Sequence, residues 1–239
     1  MNKEIIYEDN DIILCRKPAG IATQTKRLGQ QDMESLLKNY RAKKGEQPYI
    51  GVVHRLDQPV EGIMVFAKNQ KAAAGLSKQN QQRMIGKHYY AVSTSMPVEQ
   101  EGVLENYLVT DKKSNYTSVV DVQQGKALPD GAKKAVLEYK VIAQKEGLTL
   151  FDILLHTGRQ HQIRVQMAHM GCPLVGDEKY GVIEKHGGQD SKVAVKERPS
   201  LALCSYRLEF AHPTTGKKMD FSIQPEWQNL DNLATFWLR

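Results

Sequence analysis

The chain has 239 residues, 41% hydrophobic and 25% charged, which is typical of a soluble globular protein with one large domain or two small ones. No apolar run approaches the ~20 residues that cross a bilayer, and the first residues lack an apolar signal region, so neither a membrane protein nor a secreted one is expected. The cysteines, Cys15, Cys172 and Cys204, are far apart and form no Cys-x-x-Cys pair, which indicates reduced thiols in a cytoplasmic protein rather than a disulfide framework or a zinc ribbon.

The net charge of +6 favours a polyanionic partner, and the distribution of charge is more informative than the total. Residues 62–98 contain no acidic residue, and neither do residues 153–176. These stretches carry basic side chains instead, namely Lys68, Lys71, Lys78, Arg83, Lys87, Arg159 and Arg164. Basic stretches of this kind suit contacts with nucleic-acid phosphates, although a solvated basic face is the simpler alternative.

The first half of the chain predicts strands and one clear helix. Residues 5–7 and 12–15 are β-like runs separated by polar residues, which predicts a hairpin. Two further β-like runs, 49–53 and 63–67, enclose a segment in which Pro59 has no N–H and Gly62 permits unusual dihedrals, so this segment is predicted to be a loop. Residues 69–84 predict a helix that packs through Ala73, Leu76 and Met84, and a strand is predicted from residue 87.

The second half predicts several short strands and a helix. The β-like runs are 103–104, 108–109, 117–122, 135–142 and 149–155, with a hairpin turn at 145–147. Thr157 is predicted to cap a helix that begins near Arg159. A surface loop is predicted at 184–200, a final hairpin from 201–210 and 219–223, and a short helix at 230–238. The absence of repeats and linkers predicts one domain over residues 1–239.

The segment with the strongest functional signal is residues 54–68. It reads His54-Arg55-Leu56-Asp57, continues to Gly62, and ends in an apolar strand closed by Ala67-Lys68. By residue type alone, Arg55 and Asp57 are best interpreted as a surface ion pair beside a turn. The sequence of this segment, however, resembles the catalytic signature of the RluA-type pseudouridine synthases, which isomerise uridine in ribosomal or transfer RNA. The match departs at Val60-Glu61, where the family usually has Thr-Ser.

Three other stretches resemble the same family in the right order. Lys17-Pro18-Ala19-Gly20 resembles the opening of the catalytic domain, and the short sequence before it predicts no N-terminal S4-like RNA-binding domain. The strand from Lys87 fits the family pattern Lys/Arg-x-Tyr-x-Ala, which selects Tyr89 as the active-site tyrosine. Residues 157–181 resemble a third block that contains Arg164, with Gln160, Gln166 and Cys172 as departures.

The resemblance implies an α+β architecture, the pseudouridine synthase fold, in which a long, mixed, mainly antiparallel sheet is flanked by helices and loops around a central RNA cleft. It implies that Asp57 is the essential carboxylate, acting either as a nucleophile at C1′ or as a base. Arg164 is the implied cation that keeps Asp57 ionised, and Tyr89 stacks on the uracil and takes part in loss of the C5 proton. These three groups are expected to meet in one basic hollow.

The remaining predicted site residues contact the RNA. Arg55 occupies or stabilises the space left by the flipped nucleotide, through its flat guanidinium and phosphate contacts, and Ile163 presses against the ring. Further RNA contacts are assigned to His54, Lys87, Arg159 and His161. No cofactor is expected, and no metal either, because the histidine and cysteine spacings match no zinc motif. A monomer is expected.

Two other classes of function stay open at this point. One is a non-catalytic RNA-binding protein on the same scaffold, which Glu61 supports because it adds a carboxylate to the signature loop. The other is an RNA hydrolase that uses Asp57 with the histidines. The first binds RNA and leaves uridines unchanged, whereas the second shortens the RNA. Ribosomal and transfer RNA are equally compatible with the sequence as substrates.

Overall fold

The computed structural model describes residues 4–25, 29–121, 127–181 and 200–227. Within these residues the chain forms eleven strands and three helices. It divides into two compact units: unit 1 contains residues 1–88 and 204–225, and unit 2 contains residues 89–203 and 226–239. The predicted helix at 230–238 and nearly all of the predicted loop at 184–200 lie outside the described residues. The assignment of one domain to residues 1–239 stays a prediction.

Unit 1 is built on a mixed sheet. Its strands are β1 (Ile5–Glu8), β2 (Ile12–Lys17), β3 (Gly51–Val52), β4 (Glu61–Ala67), β10 (Leu203–Ala211) and β11 (Lys218–Ser222). The order is β1-β2-β4-β10, with β11 paired to β10 and β3 paired to β4. The pairing of β10 with β4 is parallel and the others are antiparallel. The hairpin predicted at the N-terminus is therefore confirmed as β1 and β2.

Strand β4 begins two residues before the predicted run 63–67 because its start pairs with β10. Glu61 and Gly62 face Cys204 and Ser205 in the parallel register. Gly62 has φ +147°, and a Cβ at this position would lie 2.5–2.6 Å from atoms of Ser205. Only glycine permits this approach, so Gly62 lets the two strands come together where the signature loop ends.

Two helices pack on this unit. Helix α1 (Met33–Lys43) begins with a capping box in which Asp32 accepts from the Ser35 N–H and Ser35 Oγ accepts from the Asp32 N–H. Helix α2 (Gln70–Gln81) is capped by Asn69, in agreement with the predicted helix. Leu76 is buried in the core as predicted, whereas Met84 is 59% exposed because the helix ends before it.

In its described residues, unit 2 contains a sheet of five strands. Its strands are β5 (Gly86–Ser93, which starts in unit 1), β6 (Glu101–Asp111), β7 (Tyr116–Val120), β8 (Lys133–Lys145) and β9 (Leu148–Leu155), in the order β5-β9-β8-β6-β7. The β8–β9 turn has positive φ at Glu146 and Gly147, which confirms the predicted hairpin. The short runs at 103–104 and 108–109 are parts of the single strand β6.

Helix α3 (Gln162–His169) begins later than predicted. Thr157 does not cap it: its hydroxyl donates to Gln162 Oε1 at 2.8 Å and accepts from the Val136 N–H at 2.8 Å. The N-cap is His161, in the left-handed region with φ +52°. Threonine oxygens satisfy strand N–H groups as readily as helix N–H groups, so the residue type alone did not distinguish the two roles.

No helix in the described parts of the chain is long and apolar enough to cross a membrane.

Candidate active site

Asp57 lies in unit 1, in the loop between β3 and β4, with a half-buried side chain. The loop turns immediately after it, because the Val60 N–H donates to the Asp57 carbonyl at 3.1 Å. The two residues beside it are each bound to the segment 17–23. These contacts fix the backbone on both sides of the carboxylate, which is the support that a positioned catalytic group requires.

Thr23 holds the residue before Asp57. Its hydroxyl donates to the Leu56 carbonyl and accepts from the Leu56 N–H, both at 3.1 Å. Thr23 is 3% exposed and Leu56 is 7% exposed, so water does not replace these bonds readily. One side chain therefore satisfies both backbone groups of the residue that precedes the carboxylate.

Lys17 and Gly20 hold the residue after Asp57. The Gln58 carbonyl accepts from the Gly20 N–H at 2.8 Å and from Lys17 Nζ at 3.1 Å, and Gln58 Nε2 donates to the Gly20 carbonyl at 2.9 Å. Lys17 Nζ also donates to the carbonyls of Pro18 and Ile21. Three carbonyls thus accept the three protons of one ammonium group.

Lys17 is completely buried at the end of β2. Burial lowers the pKa of Lys17 to about 8, and the carboxylates of Asp57 and Glu61 oppose this shift. Lys17 therefore holds its ammonium group against the backbone beside Asp57, within unit 1. Sequence analysis assigned Lys17 no role; the available signal was a basic pair, Arg16-Lys17, directly after the apolar run 12–15.

His54 is held inside unit 1 at the start of the signature loop. Its ring is buried, and Nε2 accepts from the Val65 N–H of β4 at 3.2 Å. Burial, aided by the nearby Lys87 cation, lowers the pKa of His54 to about 3, so the ring is neutral. The imidazole therefore links the start of the signature loop to β4, and its contact with RNA stays a prediction.

Lys87 lies in unit 1 at the start of β5 and is half-buried. Its Nζ donates to Asn80 Oδ1 at 2.6 Å, and Asn80 Nδ2 donates to the Val53 carbonyl at 3.1 Å. Burial lowers the pKa of Lys87 to about 8. The lysine therefore supports the strand that leads into His54, and its contact with RNA stays a prediction.

Arg55 and Glu61 behave differently from each other. Arg55 is exposed, as a side chain that reaches RNA must be. Glu61 is buried at the start of β4, and its Oε2 lies 3.7 Å from Nη1 of Arg16 on β2. The carboxylate that departs from the family pattern is thus paired inside unit 1 and does not add negative charge to the loop surface.

Tyr89 and Arg164 belong to unit 2. Tyr89 is 5% exposed on β5, and its neighbour Tyr90 packs in a separate cluster with Val92 and Leu150, as the predicted alternation requires. Ile163 and Arg164 are buried in the first turn of α3. Since Asp57 belongs to unit 1, its meeting with Tyr89 and Arg164 stays a prediction.

Arg164 is oriented by partners that the sequence analysis did not assign. Nε donates to Asp177 Oδ2 at 2.8 Å and Nη2 donates to Asp177 Oδ1 at 2.7 Å, a bidentate pair. The guanidinium carbon lies 5.1 Å from the centre of the Tyr180 ring. His161 Nδ1 is 2.7 Å from the Tyr180 hydroxyl, which accepts from the Thr117 N–H.

Helix α3 itself is fixed to the sheet by buried glutamines. Gln162 Nε2 donates to the Val136 carbonyl, and Gln166 Nε2 donates to the Leu104 carbonyl at 3.1 Å and to Asn106 Oδ1 at 2.7 Å. Gln166, a departure from the family pattern, thus bridges α3 and β6. Half-buried Arg159 precedes the helix and donates from Nε to the Lys134 carbonyl at 2.9 Å. Contact of Arg159 and His161 with RNA stays a prediction.

Across residues 4–25, 29–121, 127–181 and 200–227, no three histidine, cysteine or carboxylate side chains lie close enough to hold a metal ion.

Comparison with known proteins gives a consistent result. Residues 11–169 match the family model described as RNA pseudouridylate synthase. The chain is 36% identical over 212 residues to the dual-specificity RNA pseudouridine synthase RluA of Vibrio vulnificus, covering 88% of this chain and 78% of that protein. It is 35% identical to the ribosomal large subunit pseudouridine synthase D of Pseudomonas aeruginosa over 90% of this chain, and it spans 66% of that protein's length.

Solved structures show the same fold. The human RNA pseudouridylate synthase domain containing 4 matches with a TM-score of 0.78 at 21% identity, covering 100% of this chain and 94% of that chain. The human RNA pseudouridylate synthase domain containing 1 matches with a TM-score of 0.70 at 18% identity, covering 98% and 93%. The predicted α+β fold with a mixed, mainly antiparallel arrangement of strands is confirmed.

Proposed function

Because the chain belongs to the RNA pseudouridylate synthase family, we propose that it converts specific uridines of a structured RNA into pseudouridine. In this reaction the N1–C1′ bond breaks, the uracil turns, C5 bonds to C1′, the proton on C5 is lost, and N1 takes up a proton. The product has the same atoms as the substrate, so the reaction needs no oxidant or reductant.

The observation that carries the proposal is the support of Asp57. The carboxylate lies in the loop that bears the family signature, between two residues whose backbone groups are bound by Thr23, Gly20 and Lys17. An unsupported surface aspartate beside a turn does not require such anchoring. Asp57 is proposed as the essential carboxylate, attacking C1′ or removing a proton from the sugar.

The other groups are proposed to act on the same nucleotide. Tyr89 stacks on the uracil and takes part in loss of the C5 proton, and Arg164 is the cation that favours the ionised form of Asp57. Extrusion of the uridine costs a few kcal/mol, which exposed Arg55 offsets by occupying the vacated space. Ile163 presses against the ring, and Lys87, Arg159 and His161 contact the RNA.

The partner is proposed to be ribosomal or transfer RNA, since the net charge is +6 and two basic stretches lack acidic residues. The protein is proposed to act as a monomer in the cytoplasm, which agrees with three buried free cysteines. The alternative of a non-catalytic RNA-binding protein was favoured only by Glu61, and the pairing of Glu61 with Arg16 removes that support.

The test compares wild type, Asp57→Asn and Asp130→Asn on unmodified RNA transcripts. Asp130 is an exposed loop aspartate, so its substitution is the matched control. Tritium placed on uridine C5 is released to water when pseudouridine forms, and carbodiimide mapping identifies the nucleotide. We expect Asp57→Asn to bind RNA with unchanged affinity and to form no pseudouridine, while Asp130→Asn retains the wild-type rate.

Other outcomes distinguish the alternatives. Wild-type protein that binds the transcripts and leaves every uridine unchanged is a non-catalytic binder. Shortened transcripts identify a hydrolase. Full turnover by Asp57→Asn contradicts the assignment of the essential carboxylate. Mapping on ribosomal and transfer RNA in parallel identifies the substrate class.

A further inference from the structure

We propose that Asp177 is a positioning residue for the isomerisation: together with the Tyr180 ring, which His161 orients, it fixes the direction of the Arg164 guanidinium. This inference rests on the proposed function of Arg164. It adds a residue that acts through the arginine rather than on the RNA.

The Arg164–Asp177 pair has a geometry that fixes the orientation of the guanidinium. Asp177 and Arg164 form two parallel hydrogen bonds at 2.7 and 2.8 Å, which fix the plane of the guanidinium as well as its position. The side chain of Asp177 is completely buried and that of Arg164 is 7% exposed, so solvent does not compete with the pair. A lysine at position 164 has no planar fork and cannot reproduce this orientation.

Asp177 is itself held in place by backbone N–H groups. Its Oδ1 accepts from the backbone N–H groups of Lys179 and Tyr180, at 2.9 and 3.0 Å. Burial by itself raises the pKa of the Asp177 carboxyl, but the Arg164 guanidinium and these N–H donors outweigh it and lower the pKa. Asp177 is therefore ionised and held by its own chain, so Arg164 aligns with a fixed partner.

The face of the Arg164 guanidinium is positioned by an aromatic ring. Arg164 lies over the Tyr180 ring, and the Tyr180 hydroxyl is held by the Thr117 N–H at 3.0 Å and by His161 Nδ1 at 2.7 Å. His161 adopts φ +52° at the helix N-cap and makes no side-chain capping bond there. A left-handed conformation is uncommon at a residue other than glycine, and at this position it accompanies an imidazole directed at Tyr180.

The Arg164–Asp177 pair differs in burial from a surface ion pair of the same chain. Arg207 and Asp220 make the same bidentate contact, at 2.9 and 2.7 Å, with side chains that are 36% and 40% exposed. That pair lies between β10 and β11 of unit 1 and contacts no proposed site residue among its hydrogen-bond partners in the described residues. It is a natural control for the removal of an Arg–Asp bond.

The experiment is a double-mutant cycle in the full-length protein, with tritium release from 5-tritiated uridine transcripts measured at saturating enzyme. The variants are Asp177→Asn, Arg164→Met and the double variant. Asparagine keeps one oxygen for the Lys179 and Tyr180 N–H groups but presents no second acceptor to Arg164 Nε. We expect Asp177→Asn to lower the single-turnover rate about 10- to 100-fold, since a small misplacement of a catalytic group has effects of this size.

Coupling separates positioning from folding. We expect Asp177→Asn to change the rate less than about 3-fold when Arg164 is already methionine, because residues that act as one unit are not additive. The RNA affinity of Asp177→Asn, measured by filter binding, should stay within about 3-fold of wild type, because Asp177 acts through Arg164 and not on the RNA. The control cycle with Asp220→Asn and Arg207→Met should leave the rate unchanged.

Each other outcome is decisive. An equal loss from Asp177→Asn in both backgrounds overturns the positioning role and leaves the role of Arg164 intact. A wild-type rate in Arg164→Met overturns the proposed function of Arg164 itself. If Asp177→Asn does not fold, Tyr180→Phe replaces it: it keeps the ring and removes the hydroxyl bonds. A loss that persists in the Arg164→Met background then overturns the proposal.

Discussion

Substitution of Thr23 by valine tests the support of the proposed catalytic loop most directly. Valine has the shape of threonine but no hydroxyl, so the change removes both hydrogen bonds to Leu56 while the packing volume is kept. Thr23 itself belongs to the segment before α1 and is buried, so it cannot contact RNA directly. Any effect on turnover must pass through the backbone beside Asp57.

The size of the effect follows from the two bonds. Each leaves a buried backbone group of Leu56 without its partner, at a cost of about 1–3 kcal/mol. The free energy of unfolding should therefore fall by roughly 2–6 kcal/mol. If the loop shifts by about 1 Å instead, the rate of pseudouridine formation should fall up to about 100-fold.

Two control variants separate these effects. Thr23→Ser keeps the hydroxyl and removes one methyl group, which costs about 1 kcal/mol. Leu208→Ala removes a completely buried side chain from the unit 1 core at a cost of about 2–5 kcal/mol without touching the loop. Urea unfolding followed by circular dichroism gives the stabilities, and tritium release at a temperature where all variants are folded gives the rates.

The expected order is a near-normal rate for Thr23→Ser and Leu208→Ala and a reduced rate for Thr23→Val. If Thr23→Val is as fast as Thr23→Ser, the hydroxyl does not position Asp57 and the reasoning fails. If Leu208→Ala is as slow as Thr23→Val, the loss reflects stability alone.

Three further predictions concern buried side chains that can gain or lose a proton. Lys17 has a folded pKa of about 8 against 10.5 in the unfolded chain, so the unfolded state binds the extra proton between these values and stability rises with pH. Relative to Lys17→Met, wild type should gain about 3 kcal/mol in urea unfolding from pH 8 to 10.5; parallel curves contradict the assignment. His54 has a pKa of about 3 in the folded protein against 6.5 in the unfolded chain, so the free energy of unfolding falls as the pH falls. At pH 4 wild type should have lost about 3 kcal/mol relative to His54→Gln. A difference between the two proteins that does not change with pH contradicts this prediction. Glu61→Gln should lower stability by about 1–3 kcal/mol, because Arg16 loses its buried partner, and should leave tritium release within about twofold; a large loss of rate assigns Glu61 to the reaction.

Local patterns in the sequence were sufficient for the family and for much of the secondary structure. The signature around Asp57 and the blocks around Lys17, Tyr89 and Arg164 led to the family, which the comparisons confirm. The β1–β2 hairpin and helix α2 were predicted because alternation and helical composition act over a few residues, and such signals are legible without knowledge of the fold.

For three polar residues the sequence did not reveal the partner that the structure shows. Thr157 was predicted to cap a helix and instead bonds a strand N–H. His54 was assigned to RNA contact, which stays a prediction, and its ring accepts from the Val65 N–H inside unit 1. Glu61 was interpreted as a carboxylate added to the signature loop, and the structure pairs it with Arg16. In each case the partner is supplied by packing, and the burial that results determines what the group can do.

What the sequence alone determined was the identity of the proposed catalytic groups, because chemistry depends on residue type and the signature preserves it. What only the tertiary structure decided was how those groups are held. Thr23 lies 33 residues from Leu56, and Asp177 lies 13 residues from Arg164. Contacts at such separations form when chain folding brings segments together and excludes water, so no local period or spacing reveals which buried donor meets which acceptor.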